Sequence, residues 1–156
     1  MASSYSLAFA VFFLLATFGS RPAYAAPPVD PCSLLTPSQV GDVLGVSVGP
    51  GQKVAAKLCQ WAAPGQTTGP NLKKVLVTLQ DERAFTYAKM PVGHGITKTP
   101  VTGIGDDAVY GTTPGVGTTL AVKKGTVAFV VHVTGFTEDE TKSKEKTLAL
   151  EILPKL

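Results

Sequence analysis

Residues 107–134, "DAVYGTTPGVGTTLAVKKGTVAFVVHVT", decide how this chain folds. Three short runs, "DAVYG", "TTLAVKKG" and "TVAFVVHV", are rich in residues that suit a pleated surface, and Gly and Pro separate them. Lys124-Gly125 marks a tight turn between the last two runs. No helix-length segment lies between them. A parallel pair would need such a crossover, so the stretch predicts an antiparallel meander.

Working outward, "KKVLVTLQ" at 73–80 alternates Val75, Val77 and Leu79, as a half-buried strand does. "KVAAKLCQWAA" at 53–63 reads as one further strand with Cys59 and Trp61 on the same face, and a hairpin across "PGQTTGPN" would join the two. Three helices flank these strands. In "LLTPSQVGDVLG", 34–45, Thr36 is the N-cap, Pro37 the first helical residue and Gln39 the partner in a capping box. Leu35 and Val40 can form a hydrophobic staple, and Gly45 suits a left-handed stop. "DERAFTYAKM", 81–90, starts acidic and meets Pro91. The C-terminal helix starts at Thr137, with Glu140 completing a second capping box. Glu138/Lys142 and Glu140/Lys144 are i,i+4 pairs, and Leu148/Ile152 with Ala149/Leu153 form the docking face. The order predicts a single α+β domain: a mainly antiparallel sheet flanked by N- and C-terminal helices.

The N-terminus predicts an address. The apolar run "SLAFAVFFLLATF", 6–18, precedes Gly19, Pro22 and the small-residue pattern Ala23-Tyr24-Ala25, as in a cleavable secretory signal. It is shorter than the ~20 residues of a spanning helix, although "MASSYS" lacks the usual basic residue. Cleavage after Ala25 divides the chain into a signal at 1–25 and one exported domain at 26–156, periplasmic or secreted. The remaining 131 residues carry 13 basic and 11 acidic side chains, no electrostatic footprint for nucleic acid. "VAFVVHV", 127–133, is the longest apolar run left and has the length of a buried strand rather than a membrane span. Cys32 and Cys59 are the only cysteines, and an even count in an oxidising compartment favours a disulfide. A thiol nucleophile or a metal pair are the alternatives, and with two histidines in the chain the metal reading lacks ligands.

Three patterns imitate chemistry. "GVSVG", 45–49, matches G-x-S-x-G, and Ser47 with Asp106 or Asp107 and His132 gives the order of a hydrolase triad. That mechanism needs the serine on a strand-to-helix turn, whereas this motif follows a helix. "GIGDDA", 103–108, matches the dinucleotide fingerprint, but "VYGTTPG" follows it and no helix can start there. Asp106 and Asp107 point to opposite faces of an extended chain, so they read as a turn whose side chains bond local backbone N–H groups. Trp61 reads as core with a lesser claim as a ligand platform. Lys123, Lys124, Lys142, Lys144 and Lys146 read as solvated faces.

"DPCSLLTPSQVGDVLG" (30–45), "CQW" (59–61), "GIGDDAVY" (103–110), "LAVKKG" (120–125) and "ALEILPKL" (149–156) together resemble a family of small exported bacterial proteins. Its members are common in actinobacteria, are often lipid-anchored and have no established function. The resemblance implies pairing of Cys32 with Cys59 and a curved antiparallel sheet flanked by helices. That shape is similar to the extracellular sensor domains of mycobacterial kinases and, more loosely, to the Mog1/PsbP-like fold. Cys32 lies well beyond the signal, so no lipobox is present and the chain is expected not to be lipid-anchored. The family transfers no catalytic residue, metal or cofactor. The expected function is non-enzymatic binding of a small ligand or an envelope protein by a monomer, on a concave sheet face near Trp61, Asp106 and Tyr110. The alternative is a structural or interaction protein of the envelope without a ligand, with a Ser47/His132 hydrolase a remote third.

Overall fold

The computed structural model describes residues 29–65, 72–91, 93 and 95–156. The secretory segment expected at 1–25 and most of the 64–71 loop lie outside the described residues. Seven strands form one antiparallel sheet: β1 (Gln52–Ala55), β2 (Leu58–Ala62), β3 (Lys74–Asp81), β4 (Thr97–Val101), β5 (Asp107–Thr113), β6 (Gly117–Lys124) and β7 (Val127–Thr134). Their spatial order is β1-β2-β3-β7-β6-β5-β4. The three β-rich runs of residues 107–134 are β5, β6 and β7, paired as a meander.

Two strand expectations change. The segment 53–63 is not one strand but the hairpin β1–β2, folded at Ala56-Lys57. No Gly, Asn or Asp marks that turn, so the sequence hides it. β4 has no counterpart in the sequence reading, because Pro100 breaks its strand pattern. Proline is tolerated there because β4 is an edge and needs one row of ladder bonds only.

The helices follow their caps. α1 (Pro37–Leu44) has Thr36 as N-cap with a full capping box, and it stops at Gly45, where φ is 67°. α2 (Glu82–Lys89) starts from Asp81, whose carboxylate accepts from Ala84 N at 2.9 Å. α3 (Glu138–Ile152) begins where the Glu140 carboxylate accepts from both the amide (3.0 Å) and the hydroxyl (2.7 Å) of Thr137. These bonds hold the Glu140 carboxyl below its ordinary range. Glu138 pairs with Lys142 at 2.6 Å. Lys144, expected to pair with Glu140, instead donates to Val43 O at 2.6 Å and ties α3 to the end of α1.

Strand alternation gives the sheet two unlike faces. Cys59, Trp61, Val75, Val77, Phe129, Val131, Val133, Leu120 and Tyr110 point inward and pack with Val40 and Leu44 of α1 and Leu148, Ala149 and Ile152 of α3. On the outer face α2 lays Phe85 and Ala88 over Val109, Ala121, Ala128 and Val130. Cys32 and Cys59 are joined, with Cα atoms 5.1 Å apart, within the usual range for a disulfide. The bridge pins the segment before α1 to the inner face of β2.

Candidate functional site

The residues singled out in the sequence do not share a surface. Trp61 is 0% exposed, in contact distance of Gly51, where a Cβ would lie 2.8 Å from its ring. Tyr110 is 9% exposed, and its hydroxyl donates to Lys142 O on α3 at 2.6 Å. Burial, and then the nearby Glu145, pushes the Tyr110 phenol up to about 12. Both rings belong to the inner face, which α1 and α3 occupy, so a ligand surface near Trp61 and Tyr110 is corrected: that face is core.

Asp106 works as a clasp rather than a ligand. Its amide donates to Lys123 O at 2.8 Å, and its carboxylate accepts from Gly125 N at 2.6 Å. The preceding Gly105 has φ 59°, and a Cβ there would sit 2.4 Å from Lys123 O. The "GIGDD" stretch is therefore a turn held against the β6–β7 turn, and its bonds are long-range instead of local. Asp107 pairs with Lys89 of α2. Ser47 lines a cleft with Pro37, Gly41 and Asp42 on the α1 side, while His132 points to the outer face of β7. The structure does not bring Ser47 and His132 together. Lys123 and Lys124 are not merely solvated: Lys123 pairs with Glu82 at 2.8 Å and Lys124 donates to Leu153 O at 2.7 Å.

Glu145 is the residue the sequence reading passed over. It is 0% exposed, under α3. The β6–β7 ladder runs from Lys124↔Val127 to Leu120↔Val131. Beyond its end, Glu145 accepts from Val133 N and from the Thr118 hydroxyl, both at 3.1 Å, bridging the two strands with a side chain. Burial pushes its carboxyl up to about 8, against the opposing pull of these hydrogen bonds and of Lys142. A stripe of 141, 145, 148 and 152 could have revealed it: stepping back from Ile152 and Leu148 along the docking face lands on Glu145 and Thr141.

Part of the outer face of the sheet is accessible. Register places Gln60, Leu76 and His132 in one row, and the Lys98↔Gly111↔Thr119 row meets it at the β6–β7 seam. Each of these side chains is partly exposed, in contrast to the buried residues under α2. At the β1–β2–β3 end the face deepens into a cleft of about 440 Å³ lined by Gln52, Gln60, Ala62, Pro64, Leu72 and Lys74. This volume falls within the ~300–1,000 Å³ of ordinary ligand sites. Partial burial, reinforced by the Lys74 charge, lowers the proton affinity of His132. The described residues contain no group of three or more His, Cys, Asp or Glu arranged to hold a metal. No described helix is long and apolar enough to cross a membrane. No protein-family model, curated protein or solved structure matches the chain.

Proposed function

We propose that the chain is an exported, non-enzymatic binding module of the cell envelope, with its ligand surface on the outer face of the sheet. The observation that carries this reading is the division of the sheet. The inner face is filled by α1 and α3, and α2 covers only the Val109–Ala128 side of the outer face. That leaves Gln60, Leu76, Thr119 and His132 accessible beside the 440 Å³ cleft. The disulfide fits an oxidising compartment. The resemblance to small exported bacterial proteins, with its D-P-C-x-L-L-T and C-x-W landmarks, agrees with the same address.

Native mass spectrometry of protein purified from its own envelope tests the reading, followed by amide NMR of the same preparation. A bound species whose removal shifts the amides of Leu76, Thr119 and His132 supports it. Bare protein, or a bound species that perturbs only α1 and α3, overturns it.

A further inference from the structure

We propose that Lys98, Thr119 and His132, supported by Lys74, receive an anionic head group, carboxylate or phosphate. The apolar body of the same ligand then lies over Leu76 toward the cleft. This inference rests on the outer-face reading and gives that surface a ligand chemistry.

The seat begins at Gly111. A Cβ built there would lie 3.2 Å from Lys98 Nζ and 3.3 Å from Thr119 Oγ1, so the missing side chain is what lets the ammonium lie flat against the sheet beside the hydroxyl. Neighbouring strands are ~4.8 Å apart, which puts Thr119 one strand from Gly111 and His132 one strand further, about 10 Å across. Adjacency of Thr119 and His132 follows from their neighbours: Leu120 pairs with Val131 on one side, and Glu145 links Thr118 to Val133 on the other. A planar or tetrahedral anion above Thr119 therefore meets an ammonium on one flank and an imidazole on the other. The Thr119 hydroxyl makes only a long bond, 3.5 Å to Gly111 O, which an anion readily replaces.

Charge complementarity selects the head group. Neither Lys98 nor Lys74 makes an ion pair among the described residues. The acidic groups around this face have other partners: Glu82 pairs with Lys123, Asp107 with Lys89, and Asp81 caps α2, while Glu145 bonds Thr118 and Val133 on the inner face. Leu76 lies in the row between His132 and Gln60, and Ala62, Pro64 and Leu72 offer apolar surface in the cleft beyond, beside Gln52, Gln60 and Lys74. Burial, and then the Lys74 charge, lower the proton affinity of His132. An anion beside it offsets that lysine, so binding and protonation of His132 favour each other.

Three probes test the proposal on the oxidised exported domain by amide NMR and calorimetry: octyl phosphate, inorganic phosphate and neutral octyl glucoside. The expected result is that octyl phosphate shifts Thr119, His132 and Leu76, and that Lys98→Gln weakens it about tenfold or more. The titration of His132, followed through its ring protons, moves upward in the bound state, and His132→Gln removes the strengthening of binding at lower pH. Inorganic phosphate alone shifting Thr119 and His132 supports the head-group seat while overturning the apolar contact over Leu76. Octyl glucoside binding as tightly on the same residues overturns the anion and leaves the outer-face reading standing. No shift at these residues with any probe overturns the proposal, and the envelope-purified species then decides the outer-face reading separately.

Discussion

Raising the pH through the titration of Glu145 should destabilise this protein, and Glu145→Gln should abolish that dependence. The carboxyl is fully buried and bonded to Val133 N and Thr118, and burial moves it from 4.5 up to about 8. An acid whose folded-state proton affinity is raised makes the native state bind more protons than the unfolded chain. Stability is therefore complete below about pH 4.5 and falls as pH rises toward 8. At about 1.4 kcal/mol per tenfold step, the whole window corresponds to at most about 5 kcal/mol. That is a large part of the ~5–15 kcal/mol that holds a domain together. Urea unfolding of wild type and Glu145→Gln at intervals from pH 5 to pH 9 measures it. His132 contributes an opposite slope: its folded-state affinity is lowered, so it costs stability as pH falls through and below its ordinary 6.5. Both proteins share that term, so the difference between them isolates Glu145. The glutamine keeps a carbonyl acceptor for Val133 N, and its curve should lose the decline between pH 5 and 8. A wild-type midpoint that does not fall relative to that of the Gln variant over that interval would refute the reasoning.

Further perturbations follow from the disulfide and from two glycines. Replacing Cys32 and Cys59 together with Ser should cost roughly 3–4 kcal/mol, since the bridge closes a loop with a sequence separation of 27. Dithiothreitol should lower the wild-type urea midpoint to that of the double variant, and an unchanged midpoint would contradict the bridge. Gly105→Ala should cost about 2–3 kcal/mol, because strain at φ 59° is joined by a Cβ 2.4 Å from Lys123 O. Gly103→Ala, at φ 77° with open space around the Cβ, should cost about 1 kcal/mol; equal losses at the two sites would remove the steric part of the argument.

Legibility in the sequence followed the range of the forces involved. Capping residues act over one helical turn, so Thr36, Gln39 and Gly45 announced α1, and Thr137 with Glu140 announced α3. Alternation over β3 and over most of β7 likewise survived folding, because helices pack one face of these strands while the other stays partly exposed. The turn at Ala56-Lys57 was hidden, since tertiary pairing with β3 rather than turn chemistry holds β2 in register. The site was the least legible part. Whether Trp61 or His132 is accessible depends on which face α1 and α3 cover, and that choice is made by contacts far apart in the chain. Asp106 carried a turn signal, but its partner Gly125 stands on another hairpin.

The pairing of β3 with β7 has a consequence for how fast the molecule forms. Two local sets of strands, β1–β3 and β4–β7, zip through neighbours in sequence, but the seam between them joins Lys74–Asp81 to Val127–Thr134. Until it closes, β3 presents a bare row of amides and carbonyls, and the inner face has no continuous surface for α3. Loop closure over that distance must precede the contacts that repay it, the condition under which β-rich domains fold in milliseconds to seconds rather than microseconds. The Cys32–Cys59 bridge lies wholly on the early side of the seam, so an oxidised chain begins the search with β2 and its N-terminal segment already tethered. Closing the β3–β7 seam is the event that joins the two sets of strands into one sheet.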